Sequence, residues 1–446
     1  MGKHFGTDGV RARAGEFPLD DDTVSIIGRS LARHFEEHLG RKPRFISGRD
    51  TRESGQTIEG AIHAGAAAEG AQISSAGVIT TPGVAFLTGA KGYDAGIVIS
   101  ASHNPFEDNG IKVFLPSGKK LDGSIEELIE ADIDAGEIEP VAPVVPNEDL
   151  AEGFDEEYLE HLRSAADGTS LAGLSIVIDC ANGAAHDLAP KLFRSLGAEL
   201  TVINDTPDGR NINKDCGSLH LDSLAAKVVE SGSDFGIAFD GDADRVLFVD
   251  RNGNVVDGDA TLWILSTEMA AAGRLVNEKV VATVMSNIGL EIALRSRGIE
   301  LVRAKVGDKY VLEELLRTNS VIGGEQSGHI IFPERSLVGD GMATAVLTLS
   351  SLVRRGLSLE EAVGEFQRYP QILVNVKVKE KRAFDEVPAI AAAAELLEKE
   401  LDGNGRLLLR YSGTEDLARV MIEGTDQGDI ERRAAALAEV IRENLG

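Results

Sequence analysis

Apolar positions along this chain fall into two rhythms. Short unbroken runs such as Asp94–Ser100 (DAGIVIS) and Phe235–Phe239 read as strands buried inside an α/β sheet. Arg44–Gly48 (RFISG), Leu174–Asp179 (LSIVID) and Lys279–Val284 (KVVATV) are further runs of this kind. Each is followed by a polar or Gly-containing turn and then an Ala/Leu-rich helical stretch, which is the βαβ signature three times over. The C-terminal part differs. It predicts an alternating strand at Ile372–Val378, an acidic helix at Glu386–Leu401, strands at Arg406–Arg410 and Ala418–Glu423, and a closing helix, together a smaller α+β domain. The repeats share architecture and not residues.

Three stretches break these rhythms. Pro140 to Pro146 carries three prolines and no helical period, as a linker does. Val249 to Asn254 is a polar turn after an apolar strand, and Arg368 to Gln371 interrupts a helix-rich region. The expected domains are therefore residues 1–146, 147–253, 254–368 and 369–446. A chain of 446 residues that is 43% hydrophobic is long enough for three or four domains and a large core.

Charge narrows the partners. Lys and Arg number 45 against 73 Asp and Glu, a formal charge of −28, so nucleic acid or an anionic membrane would meet long-range repulsion. A small anionic substrate is still compatible, because exposed charges are screened beyond about 10 Å; it requires a local cluster of Arg and Lys. Two cysteines, Cys180 and Cys216, make a disulfide framework improbable in a chain this long. The opening MGKHFGTDG has no apolar stretch, and no apolar run approaches the ~20 residues that span a bilayer. The expectation is a cytoplasmic chain in a reducing compartment.

Four loops carry candidate chemistry. Ser102-His103-Asn104-Pro105 follows a strand, where a serine either caps a turn or serves as nucleophile and phosphate carrier; Lys112 follows close behind. Asp240, Asp242 and Asp244, spaced i, i+2, i+4 after Phe235–Phe239, point the same way on an extended backbone. Their mutual repulsion calls for a hard divalent cation, the alternative being a solvated acidic turn. The EF-hand pattern fails, with Arg245 and Arg251 at its Gly and Glu positions. Gly323 to His329 (GGEQSGH) is either a tight turn or a set of side chains suited to sugar hydroxyls. Arg410 to Glu415 (RYSGTE), with Arg419 beyond, is either a β-turn with a surface Arg or an anion nest. No GxxxxGK[ST] or GxGxxG pattern is present.

Taken together, a serine, a metal triad, a polyol reader and an anion nest define phosphoryl transfer to and from a small-molecule phosphosugar, with the serine as covalent carrier. Phe5 to Arg11 (FGTDGVR), SASHNP, DGDADR, GEQSGH and RYSGTE occur in this order, and GDKY stands at Gly307–Tyr310. The set resembles the α-D-phosphohexomutase superfamily, most closely its bacterial amino-sugar branch, from about residue 3 to the end. The resemblance implies four domains around a central cleft, three similar mixed α/β domains plus a smaller C-terminal α+β domain. In chain order these would bear the phosphoserine, the metal, the sugar reader and the phosphate nest.

It also implies roles. Ser102 would be the phosphoserine, and Asp240, Asp242 and Asp244 would hold Mg²⁺ together with its phosphate. Arg245 would sit beside the phosphoryl group. Arg11, His103 and Lys112 match positions near the phosphoserine, with His103 or Lys112 serving proton transfer. Glu325 and Ser327 would read the 3- and 4-hydroxyls of the sugar, and His329 matches a further active-site position. Arg410, Ser412, Gly413, Thr414 and Arg419 would grip the phosphate that is not reacting. The reaction implied is interconversion of glucosamine 6-phosphate and glucosamine 1-phosphate, feeding UDP-N-acetylglucosamine synthesis, in a homodimer. Asp416 stands where that branch usually has proline, and we expect it to face solvent. The runner-up is the same chemistry on glucose or mannose phosphates. A phosphatase is disfavoured by the polyol loop and the second phosphate site, and a non-catalytic sensor by the intact Ser102 and triad.

Overall fold

In the computed structural model the residues described are 4–6, 8–412 and 415–446. The chain forms two compact units, one of residues 1–284 and 302–363 and one of residues 285–301 and 364–446. Among the described residues no helix is long and apolar enough to cross a membrane.

In the first unit, strands and helices alternate as the apolar runs predict. Ala95–Ile99 and Arg44–Arg49 lie side by side in parallel, with Gln72–Val78 beyond. On the other side Asp108–Phe114 runs antiparallel to Ala95–Ile99, followed by Gly9–Arg13 and Phe5–Gly6. Every residue of Ala95–Ile99 is buried, with helices Gly55–Ala68 and Thr81–Ala90 packed against it. That is why the run carries no polar position. Leu31, Phe45, Ile62 and Ile97 sit at the centre of this core.

A second sheet repeats the theme. Ser175–Asp179 lies between Glu199–Ile203 and Phe235–Phe239, all parallel. The chain then doubles back through Val246–Asp250. In a third sheet, Lys279–Thr283 runs parallel to Gly323–Gly324, which pairs antiparallel with Ile330–Ile331. The loops that leave Ala95–Ile99, Phe235–Phe239 and Gly323–Gly324 all emerge from the C-terminal ends of strands. In open α/β sheets that edge is where ligands bind.

The second unit is built around an antiparallel sheet with Leu417–Glu423 between Gln371–Lys377 and Arg406–Tyr411. Its apolar face packs on helices Pro388–Leu401 and Gln427–Leu445. The acidic helix expected from Glu386 starts at Pro388 instead, after a single 3₁₀ turn over Phe384–Glu386. Proline has no N–H to lose at the first helical position and its φ is already helical, so it sets the boundary.

Close helix packing in the first unit sets one test. Gly65, on Gly55–Ala68, lies against Asp21–Leu39 so tightly that an added methyl would stand 2.0 Å from the Ser25 carbonyl oxygen. Gly65→Ala is expected to cost about 1–3 kcal/mol by overpacking, read as a lowered urea midpoint at unchanged slope.

Candidate active site

Ser102 lies in the loop after Ala95–Ile99, buried, with φ 52°, a left-handed conformation that residues with a side chain seldom adopt. Its hydroxyl donates to Asp240 Oδ2 at 2.6 Å, and His103 Nδ1 stands 3.4 Å from the same oxygen. The serine and the acidic loop, 138 residues apart in sequence, are thus in direct contact. Gly241 permits this approach, because a Cβ there would fall 2.5 Å from the Ser102 carbonyl oxygen.

The three carboxylates converge, but not along an extended backbone. The Ala243 N–H donates to the Asp240 carbonyl at 3.1 Å and Ala243 itself has φ 55°, so residues 240–245 form a tight turn. Folding the loop brings one oxygen of each aspartate within 4.8 Å of the others, all three residues buried. Thr81 fixes the middle one, its hydroxyl donating to Asp242 Oδ2 at 2.6 Å and its N–H to the Asp242 carbonyl at 3.0 Å. Asp242 Oδ1 and Asp244 Oδ1 are buried without a hydrogen-bond partner. Three clustered buried carboxylates with oxygens lacking hydrogen-bond partners fit a hard cation, and this cluster could hold a metal ion.

Electrostatics support the same reading. Burial, then the charges of Asp244 and Asp242, push the Asp240 carboxyl well above its usual range. Burial pushes Asp244 upward too, but His329, Lys112 and Arg245 outweigh it and hold that carboxylate ionised. The aspartates thus compete for too little positive charge, which a divalent ion would supply.

Cations surround the triad. Lys112, on Asp108–Phe114, is buried with Nζ 3.1 Å from Asp242, 3.3 Å from Asp8 and 3.9 Å from Asp244. Burial opposes its charge, yet these three carboxylates raise its pKa above that of an ordinary lysine. Arg11 and Lys120 both bond Asp8, and Lys120 also donates to Asp308 at 2.6 Å. The Arg245 N–H donates to Asp240 Oδ1 at 3.2 Å, and its Nε lies 3.8 Å from Asp244. Burial, then the nearby Arg245 and Arg11, lower the His103 pKa to about 4, leaving a neutral ring at pH 7.

His329 is placed differently from a residue open to a ligand. It is 3% exposed, and its Nδ1 faces Asp244 Oδ2 at 3.6 Å. Burial lowers its pKa, but Asp244 and more distant carboxylates raise it further, to about 9. The Gly339 N–H, aimed at Nε2 from 3.2 Å, works against a second proton. In either state Nδ1 carries a proton toward the triad. On the same loop the Ser327 hydroxyl is buried without a hydrogen-bond partner, and Glu325 Oε1 accepts the Gly307 N–H of the GDKY turn at 3.1 Å.

The fourth loop lies in the second unit. Arg410 and Arg419 face each other across the ladder between Arg406–Tyr411 and Leu417–Glu423. Like charges directly opposite on a sheet repel, which an anion would relieve. Ser412 Oγ accepts from Arg419 at 3.4 Å and from the Glu415 N–H at 3.3 Å. Gly413 and Thr414 lie outside the described residues. The Asp416 side chain is 87% exposed, beside Lys381 at 3.7 Å.

Several site residues escaped the sequence reading. Asp8 sits inside the FGTDGVR stretch without a role that spacing suggests. Asp50 and Arg52 follow Arg44–Arg49 at the strand edge where ligands gather, a signal that position alone carried. Asn213, Thr81 and Lys120 gave no signal.

Divalent metal is expected to raise the melting temperature of the chain, with about 2.7 kcal/mol of stabilisation at a hundredfold excess over Kd. Asp240→Asn combined with Asp244→Asn should abolish that shift, as read by calorimetry with and without chelator.

Family models described as phosphoglucomutase/phosphomannomutase match nearly the whole chain: alpha/beta/alpha domain I over residues 2–139, domain II over 156–253, domain III over 257–369 and the C-terminal domain over 373–440. The phosphoglucosamine mutase of Solibacter usitatus is 48% identical over 442 residues, covering 99% of both chains. Among solved structures, a phosphoglucomutase/phosphomannomutase family protein from Burkholderia thailandensis superposes with a TM-score of 0.80 at 24% identity, covering 100% of this chain and 98% of that one. The Aspergillus fumigatus N-acetylphosphoglucosamine mutase, solved in complex with GlcNAc-6P and magnesium, gives 0.66 at 20% identity, covering 99% and 96%. With all four of its domains matched in order, the chain belongs to the phosphoglucomutase/phosphomannomutase family within the α-D-phosphohexomutase superfamily.

Proposed function

We propose that the chain is a phosphohexomutase that interconverts glucosamine 6-phosphate and glucosamine 1-phosphate through a phosphoserine at Ser102 and a bisphosphorylated sugar. The observation that carries this reading is the buried Ser102 hydroxyl held 2.6 Å from Asp240 in a cation-lined site. Full-length similarity to a phosphoglucosamine mutase supports the choice of sugar.

The phosphorus–oxygen bond of phosphoserine breaks as a sugar hydroxyl oxygen bonds to phosphorus and gives up its proton. The bisphosphate then reorients, and its other phosphoryl group returns to Ser102 Oγ. His103, neutral and 3.4 Å from that oxygen, is the group we assign to the proton, because the Lys112 ammonium is engaged by carboxylates. Arg11, Lys112 and Arg245 neutralise the phosphoryl group in flight. Asp240, Asp242, Asp244 and phosphorylated Ser102 would hold Mg²⁺, which would supply further charge neutralisation. Glu325 and Ser327 read the sugar hydroxyls, with His329 supporting the triad behind them. Arg410, Ser412, Gly413, Thr414 and Arg419 take the phosphate that is not reacting. On this reading residues 1–146 bear the phosphoserine, 147–253 the metal, 254–368 the sugar reader and 369–446 the phosphate nest. Two copies form a homodimer, to be read from sedimentation mass.

Ser102→Ala is expected to abolish turnover while leaving the melting temperature close to that of the parent; full activity would remove the phosphoserine. Glucosamine 6-phosphate is expected to exceed glucose 6-phosphate and mannose 6-phosphate in kcat/KM by at least ~10-fold, about 1.4 kcal/mol. The reverse order in the same Mg²⁺-dependent assay would assign the chain to the neutral hexoses.

A further inference from the structure

The conformation of Ser102 needs a cause. A residue with a side chain at φ 52° is held there by its surroundings, and here one buried guanidinium makes the largest share of the contacts to the loop. Arg52 Nη2 donates to the carbonyls of Ser102 and Asn104, each at 2.9 Å. Its Nη1 donates to those of Pro105 and Asp108, the latter at 3.0 Å. One side chain thus engages four carbonyl oxygens within residues 102–108. Arg52 Nε donates to Asp50 Oδ2 at 2.9 Å, and both side chains are fully buried.

The ring closes on the amide side. Asp50 Oδ2 also accepts the Ser100 hydroxyl at 2.6 Å, and Ser100 Oγ in turn accepts the Ser102 N–H at 2.9 Å. Arg52, Asp50 and Ser100 therefore hold both the N–H and the carbonyl of Ser102. From a separate segment Asn213 Nδ2 donates to the same two carbonyls, Ser102 at 2.9 Å and Asn104 at 3.2 Å.

The structure assigns Arg52 as the positioning residue of the serine loop: its planar five-donor fork fixes the Ser102 backbone so that Oγ meets the aspartate cluster in both directions of phosphoryl transfer. This rests on the proposed role of Ser102. The Arg52 side chain donates to backbone carbonyls and to Asp50, so it acts through the loop and not on the substrate. A lysine keeps the charge but has a point-like head that cannot span four carbonyls. Transfer requires Oγ within reach of an incoming phosphorus, and a displacement of about 1 Å costs roughly 100-fold in rate.

The test compares Arg52→Lys with the parent for kcat, KM and hydrogen exchange over residues 100–108. The expected result is a kcat about 100-fold lower at a KM within a factor of about three, with faster exchange confined to that segment. A kcat within threefold of the parent would overturn the assignment, as would a loss carried by KM. If Arg52→Lys fails to fold, Asn213→Ala decides: about a tenfold loss of kcat at unchanged KM supports a backbone clamp, and parental kcat refutes it. If the parent turns over no sugar phosphate, the reading of function falls. The clamp is then judged by exchange alone, where unchanged protection over residues 100–108 refutes it.

Discussion

Three buried carboxylates on one tight turn are the constraint around which the first unit is organised. Taking charges out of water costs several kcal/mol each unless partners compensate. The partners of Asp240, Asp242 and Asp244 arrive from separate parts of the chain: Lys112 from Asp108–Phe114, His329 from the loop after Gly323–Gly324, and Thr81 from the start of a helix. A second layer of Asp8, Lys120 and Asp308 extends the same alternation of sign. Removing Lys112 or His329 would leave a buried carboxylate with less compensation. The two carboxylate oxygens that still lack partners mark where the protein's own compensation stops.

The same arrangement reconciles a strongly acidic chain with an anionic substrate. A formal charge of −28 is spread over a surface that salt screens within about 10 Å. Inside the site the balance is local, with Arg11, Lys112, Lys120 and Arg245 gathered among the buried carboxylates. In the second unit Arg410 and Arg419, paired across a ladder, make a second positive point.

The serine and its neighbours divide the labour. Asp240 receives the hydroxyl, while the backbone beneath is held by Arg52 and Ser100. A backbone held at both its N–H and its carbonyl keeps the Ser102 side chain preorganised beside the aspartates. Gly241 completes it by allowing two backbones to touch where any side chain would separate them.

Much of this was written in the sequence. The strands at Ala95–Ile99 and Phe235–Phe239, and the Ile176–Ile178 centre of Ser175–Asp179, announce themselves as apolar runs, because a strand covered on both faces favours apolar side chains. Ser102, the aspartate triad and the GEQSGH and RYSGTE loops stand out because polar residues crowd where packing gives no reason for them. What the sequence did not reveal is whatever depends on distant segments meeting. Asp8 finds Lys112 and Lys120, Arg52 finds the carbonyls of residues 102–108, and Asn213 reaches across 111 residues to the same loop. The triad's convergence also came from a turn with Ala243 in the left-handed region, where spacing alone had suggested an extended backbone. Periodicity records only which face a residue presents to its own neighbourhood. Partners more than one element away are selected by the folded chain as a whole, when burial leaves a charge or a carbonyl that must be satisfied.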